Sequence, residues 1–83
     1  SPARLRLFGL LIGIGTYQRV RPLRGPAHDL RVVEEYLRNL PDVEPNLLVL
    51  ADEAATKSAI ADAFTNHLTK AGPGDTVFVY FSG

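Results

Sequence analysis

A chain of 83 residues makes at most one small domain, and 46% hydrophobic residues are too many for a disordered tail. Nine basic residues balance nine acidic ones, so there is no basic footprint for nucleic acid and no polybasic patch for a membrane surface. The lack of cysteine excludes a disulfide framework and a cysteine-ligated zinc site within these residues. It is compatible with the cytoplasmic location we expect.

In chain order, Ser1 and Pro2 read as a linker remnant. Residues 7–14 (LFGLLIGI) are almost continuously apolar, as in a strand buried on both faces of a parallel sheet. Arg4 and Arg6 before this run faintly imitate a signal peptide. The run is short, contains glycine and lacks a small-residue cleavage site. No apolar stretch approaches the length of a membrane span, about 18 residues. The connection from Gly15 to Gly25 holds Pro22, Arg19, Arg21 and Arg24. It exceeds the usual βα loop of about two to six residues, and long loops on rigid strands often carry function.

Pro26 suits the first turn of a helix. Ala27, Leu30, Val33, Leu37 and Leu40 define its apolar face, Glu34 and Arg38 make an i,i+4 pair, and Pro41 ends it. Residues 46–50 (NLLVL) form a second short strand, followed by a turn from Asp52 to Ala55. Thr56 is a good N-cap. Ile60, Ala63, Phe64, Leu68 and Ala71 predict the apolar stripe of a second helix, stopped by Gly72-Pro73. After Gly74-Asp75, residues 76–81 (TVFVYF) are β-branched and aromatic, as in a third strand.

The pattern is α/β, a β-α-β-α-β three-layer sandwich with right-handed crossovers. With strand 1 central, the parallel sheet has order 2-1-3 and the helices cover opposite faces. The crevice then lies at the C-terminal ends of strands 1 and 3. The loop 15–25 and Ser82-Gly83 both leave from it. Strand 3 is apolar and would make an aggregation-prone edge. We expect either that the chain continues past Gly83 or that a second chain pairs beside strand 3.

Several tempting motifs have ordinary readings. Gly13-Ile14-Gly15 suggests a dinucleotide turn, but Gln18 stands where the third glycine belongs and no acidic residue sits at the end of a second strand about twenty residues on. These glycines are better explained by close packing at the strand exit. His28 reads as a solvated helix residue. Asp29 beside it borders the crevice and complements the helix dipole. His67 flanks the apolar stripe of helix 2 without a second metal ligand nearby, so we expect a surface or partly buried residue. Ser82, His28 and Asp29 do not make a hydrolase triad, because no nucleophile-elbow sequence surrounds Ser82.

Three segments together resemble the caspase-like cysteine peptidases, especially the metacaspase and bacterial caspase-like branch. Residues 10–17 (LLIGIGTY) are similar to the first core strand and its exit. Residues 23–30 (LRGPAHDL) are similar to the L-x-G-x-x-N-D-A pattern that opens the first helix. Residues 74–83 (GDTVFVYFSG) resemble the third strand as it runs into Ser-Gly-His-Gly. Residues 52–57 (DEAATK) fit the acidic turn and threonine cap between them. The resemblance spans essentially the whole chain, as the N-terminal portion of one catalytic domain, incomplete within residues 1–83.

The resemblance implies a cysteine endopeptidase with a Cys-His dyad and backbone N–H groups that hold the oxyanion. It places the histidine directly after Gly83 and the cysteine about fifty residues later, the separation known for caspases. No catalytic residue therefore falls within residues 1–83, and neither His28 nor His67 matches a catalytic position. It implies no cofactor and no metal site in this chain, and a protein or peptide substrate. Asp29 matches the aspartate that helps line an acidic S1 pocket for Arg or Lys, although His28 replaces the usual Asn. With a one-residue gap, Arg24 approaches the arginine with which animal caspases accept aspartate. The ungapped alignment favours Asp29 and a basic P1 residue. Ser82 and Gly83 complete the expected substrate-binding set. The alternatives are a catalytically inactive caspase-like module for assembly or regulation and, behind it, a nucleotide-binding or receiver-like domain. A receiver would need an aspartate where Ser82 ends strand 3.

Overall fold

The computed structural model describes residues 4–15 and 25–83. Three strands, β1 (Leu5–Gly13), β2 (Val43–Ala51) and β3 (Thr76–Ser82), form a parallel sheet in the order β2-β1-β3. Helix α1 (Gly25–Arg38) connects β1 to β2, and a helical segment over residues 57–70 connects β2 to β3. The expected α/β architecture and strand order are therefore present.

Both faces of β1 are buried, which explains its uninterrupted apolar run. Leu7 and Leu11 pack with Leu30 and Leu37 of α1 on one face. Phe8, Leu10 and Ile12 pack with Leu50, Ala63 and Leu68 on the other. Leu10 and Leu11 are fully buried on opposite sides of the sheet. Alternation along one strand thus divides the core into two, each with its own helical layer.

The element boundaries differ from the predicted ones in instructive ways. β1 begins at Leu5, earlier than the apolar run suggests, and ends at Gly13 rather than Ile14. β2 runs from Val43 through Pro45, although proline cannot donate to a ladder. Its position at the sheet edge makes this tolerable. Helix α1 begins at Gly25 and ends at Arg38; Ala27 is exposed, whereas Leu30 and Leu37 are buried. The Glu34–Arg38 pair forms at 2.9 Å.

The second helical segment is not one regular helix. Thr56 caps α2 (Lys57–Asp62), its side chain accepting a hydrogen bond from the Ala59 N–H at 3.0 Å. The backbone then widens into a π turn over Ala63–His67 and tightens into a 3-10 turn over Leu68–Lys70. A π turn inserts residues into the 3.6-residue rhythm. Phe64, expected on the apolar stripe, is consequently 48% exposed, while Ala63 and Leu68 are buried.

The same turn brings His67 over the sheet. Its Nε2 lies 3.0 Å from the Gly9 carbonyl oxygen and 3.1 Å from that of Asn46. Two carbonyls can only accept, so Nε2 carries the proton and donates to both. The ring also meets Phe8 edge-on, with centroids 6.0 Å apart. His67 is thus half-buried and ties the helical layer to β1 and β2. Among the described residues, no group of His, Cys, Asp or Glu side chains could hold a metal ion, and no helix is long and apolar enough to cross a membrane.

At the N-terminal edge of the sheet, Arg6 on β1 clamps Asp75, just before β3. Arg6 Nη2 lies 2.7 Å from Asp75 Oδ2, and Nε donates to Oδ1 at 3.3 Å. Asp75 Oδ2 also accepts the Gly72 N–H at 2.8 Å. The hydrogen bond from Arg6, then that from Gly72, holds the Asp75 carboxyl below its ordinary value of 3.8.

Two predictions follow from these contacts. His67→Ala in the full-length protein should lower unfolding stability by about 1–2 kcal/mol, because two carbonyls lose a shared donor; an unchanged denaturant midpoint would count against the bridge. For Asp75 the folded carboxyl is the stronger acid. Its stabilisation should be complete above the ordinary carboxylate value of 3.8 and fade as pH falls through that value towards the depressed folded one. The stability gap between the parent and Asp75→Asn should therefore be flat near neutrality and shrink in acid. A gap that widens below pH about 4 would contradict this sign.

Candidate functional site at the carboxyl end of the sheet

The carboxyl ends of all three strands meet at one rim. Gly13 pairs with Ala51 of β2 on one side and with Ser82 of β3 on the other. The Ile14 N–H donates to the Ser82 carbonyl at 3.0 Å, carrying the β1–β3 alignment one residue past the end of β1. Beyond it, Gly15 is buried, and its N–H donates to Asp52 Oδ1 at 2.9 Å.

Alternation along β3 decides which way Ser82 faces. Phe78 and Tyr80 pack on the α1 side of the sheet, and Ser82 continues that parity. Its Oγ donates to Asp29 Oδ2 on α1 at 3.0 Å. Two residues far apart in sequence, both expected at a substrate pocket, therefore lie in direct contact. Asp29 is half-buried and lies one residue beyond the first helical turn, because α1 starts at Gly25. Asp29 Oδ2 accepts from Ser82, and a carboxylate has further lone pairs with which to meet a donor.

Gly83 follows on the same rim. A Cβ there would lie 2.9 Å from the Phe81 ring and 3.5 Å from the Ile14 carbonyl oxygen. His28 is exposed on α1. Among the described residues it has no hydrogen bond to Ser82 or Asp29, so no Ser-His-Asp relay forms. Arg24, with Arg19 and Arg21, lies outside the described residues. A groove lined by Val32, Tyr36, Leu40 and Pro41 lies at the opposite end of α1, away from this rim.

A family model described as Caspase domain, of the C14 peptidases, matches residues 6–83. The chain belongs to the caspase-domain family. No curated protein and no solved structure matches it. The match supports a cysteine-peptidase-like function for the caspase domain, although residues 1–83 contain no cysteine. In this caspase-domain chain the polar rim at the carboxyl end of the sheet is the candidate site.

Sequence reasoning passed over Asp52 as part of an acidic turn. Its contact to Gly15 spans 37 residues and has no local signature. Gly15 is buried just past a strand end, where its N–H must find a partner, and only the structure shows that burial. Removing the Ser82 hydroxyl provides a direct check on the rim. Ser82→Ala should cost about 1 kcal/mol or less of stability and leave the sheet intact by amide exchange. Global loss of protection would mean that this contact is structural rather than local.

Proposed function

We propose that this chain forms one wall of the active site of a cysteine endopeptidase that cleaves after a basic P1 residue. The contact between Ser82 and Asp29 carries the reading. It sets a carboxylate at the crevice, immediately beside Gly83 and the segment resembling the start of Ser-Gly-His-Gly. An oriented, half-buried carboxylate favours a guanidinium or ammonium through charge-assisted hydrogen bonds.

The dyad lies beyond Gly83. Its thiolate attacks the scissile carbonyl, and the histidine delivers a proton to the leaving amine. Water then releases the acyl group from the sulfur. Backbone N–H groups stabilise the intermediate oxyanion. The substrate is a protein or peptide. The open side of β3 is paired by the remaining part of the catalytic domain or by a second chain. The edge position of β3 supports that pairing, and the exposure of Val77, Val79 and Phe81 supports a covering layer on that face as well.

The test is a P1-varied peptide panel on the full-length protein. Arg and Lys peptides should be preferred, and Asp29→Asn should lower kcat/KM on the Arg peptide by about 10- to 100-fold, the loss of one charge-assisted pair. Preference for Asp at P1 would favour Arg24 as the specificity residue. Equal cleavage after Arg and Asp would sink both versions. A full-length protein without turnover or a thiol-alkylation response would be the inactive assembly module. Residues 1–83 alone should show no cysteine-peptidase turnover, since they contain no cysteine.

A further inference from the structure

Asp52 has an uncommon backbone for a non-glycine residue. Its φ is +51°, in the left-handed region that costs most side chains steric energy and that Asp and Asn tolerate best. It opens the short 3-10 turn Asp52–Ala54, and its carbonyl accepts the Ala55 N–H at 3.0 Å. This conformation sends the carboxylate back across the end of the sheet, where Oδ1 accepts the Gly15 N–H at 2.9 Å. Gly15 is buried, and its N–H lies beyond the last β1–β2 partner pair, Gly13 with Ala51. Without Asp52 this donor would face a buried environment unpaired.

The contact continues across the rim. Gly15 is bonded covalently to Ile14, whose N–H holds the Ser82 carbonyl. Ser82 in turn holds Asp29 through its hydroxyl. An unbroken path thus runs from the end of β2, across β1 and β3, to α1. We infer that Asp52 is a positioning residue for the Ser82–Asp29 wall, fixing the exit of β1 and thereby the height of Ser82 and Gly83. Its consequence for substrate rests on the proposed peptidase site; its geometry does not.

Three substitutions in the full-length protein separate the possibilities. Asp52→Asn keeps an acceptor and tolerates positive φ. Asp52→Gly keeps the backbone conformation and removes the acceptor. Asp52→Ala removes the acceptor and strains the backbone. Amide hydrogen exchange should show protection at Gly15 falling by about tenfold or more in the Gly and Ala variants and largely restored in Asp52→Asn. Ile14 should lose protection in the same variants while Leu10 and Leu11 keep theirs. With an Arg-P1 peptide, Asp52→Gly should raise KM more than it lowers kcat, and Asp52→Asn should rescue it.

Unchanged Gly15 protection in Asp52→Gly overturns the contact. Loss at Gly15 with Ile14 and KM unaffected reduces Asp52 to a local cap and overturns the positioning role. If the parent protein does not cleave the Arg peptide, the proposed function fails by itself, and exchange at Gly15 and Ile14 still decides the path. Should Asp52→Ala unfold globally, the Gly and Asn pair still makes the comparison.

Discussion

Strand β1 is hydrogen-bonded to a parallel neighbour on each side and covered by helical segments on both faces. From Leu7 onward this strand cannot place a polar side chain on either face without burying it; Arg6, just before that stretch, is exposed. Phe8, Leu10 and Ile12 serve one layer, and Leu7 and Leu11 serve the other. Burying a Leu side chain fully is worth about 1.5–3 kcal/mol, so the two adjacent leucines, Leu10 and Leu11, anchor both halves of a thin core. The position of β1 also fixes the crevice. Its end is where one connection leaves towards α1 and where β3 ends beside it, so the polar residues of the rim gather there.

The central strand was legible because its constraint is one-dimensional: burial on both faces permits only an apolar run. The Thr56 cap was legible for a similar reason, since capping needs one hydroxyl three residues before an available N–H. Other features depended on tertiary position. Pro45 argues against a strand until β2 is known to lie at an edge. Helical spacing placed Phe64 in the core, but the π turn moves it out and puts His67 over the sheet. The two carbonyls that hold His67 belong to β1 and β2, so its local sequence could not reveal its partners.

The candidate site divides along the same line. The strand order was enough to bring Ser82, at the end of β3, to the crevice, and the opening of α1 was enough to put Asp29 near it. That the two side chains bond follows from the distance between β3 and α1, which the packing of Leu30 and Leu37 on Leu7 and Leu11 sets. Asp52 could not be found in this way, because its role rests on a single left-handed residue and on a buried N–H contributed by another element.

Coverage of β3 is unequal. Phe78 and Tyr80 pack under α1, whereas Val77, Val79 and Phe81 are 50%, 44% and 59% exposed. Register explains the difference. These three residues stand beside Phe8, Leu10 and Ile12, whose layer of α2 and the following turns packs over β1 and Leu50 of β2 and stops short of β3. Phe64, turned outward by the π turn, adds another exposed aromatic to the chain. A β-branched and aromatic edge strand, open on one face as well as along its hydrogen-bonding side, is the arrangement soluble proteins usually cover or blunt. Here the end of that strand, Ser82, also bonds the carboxylate at the crevice. Whatever orders the open face of β3 therefore acts on the same strand that sets the Ser82–Asp29 contact. The open side of the sheet and its candidate site are mechanically joined.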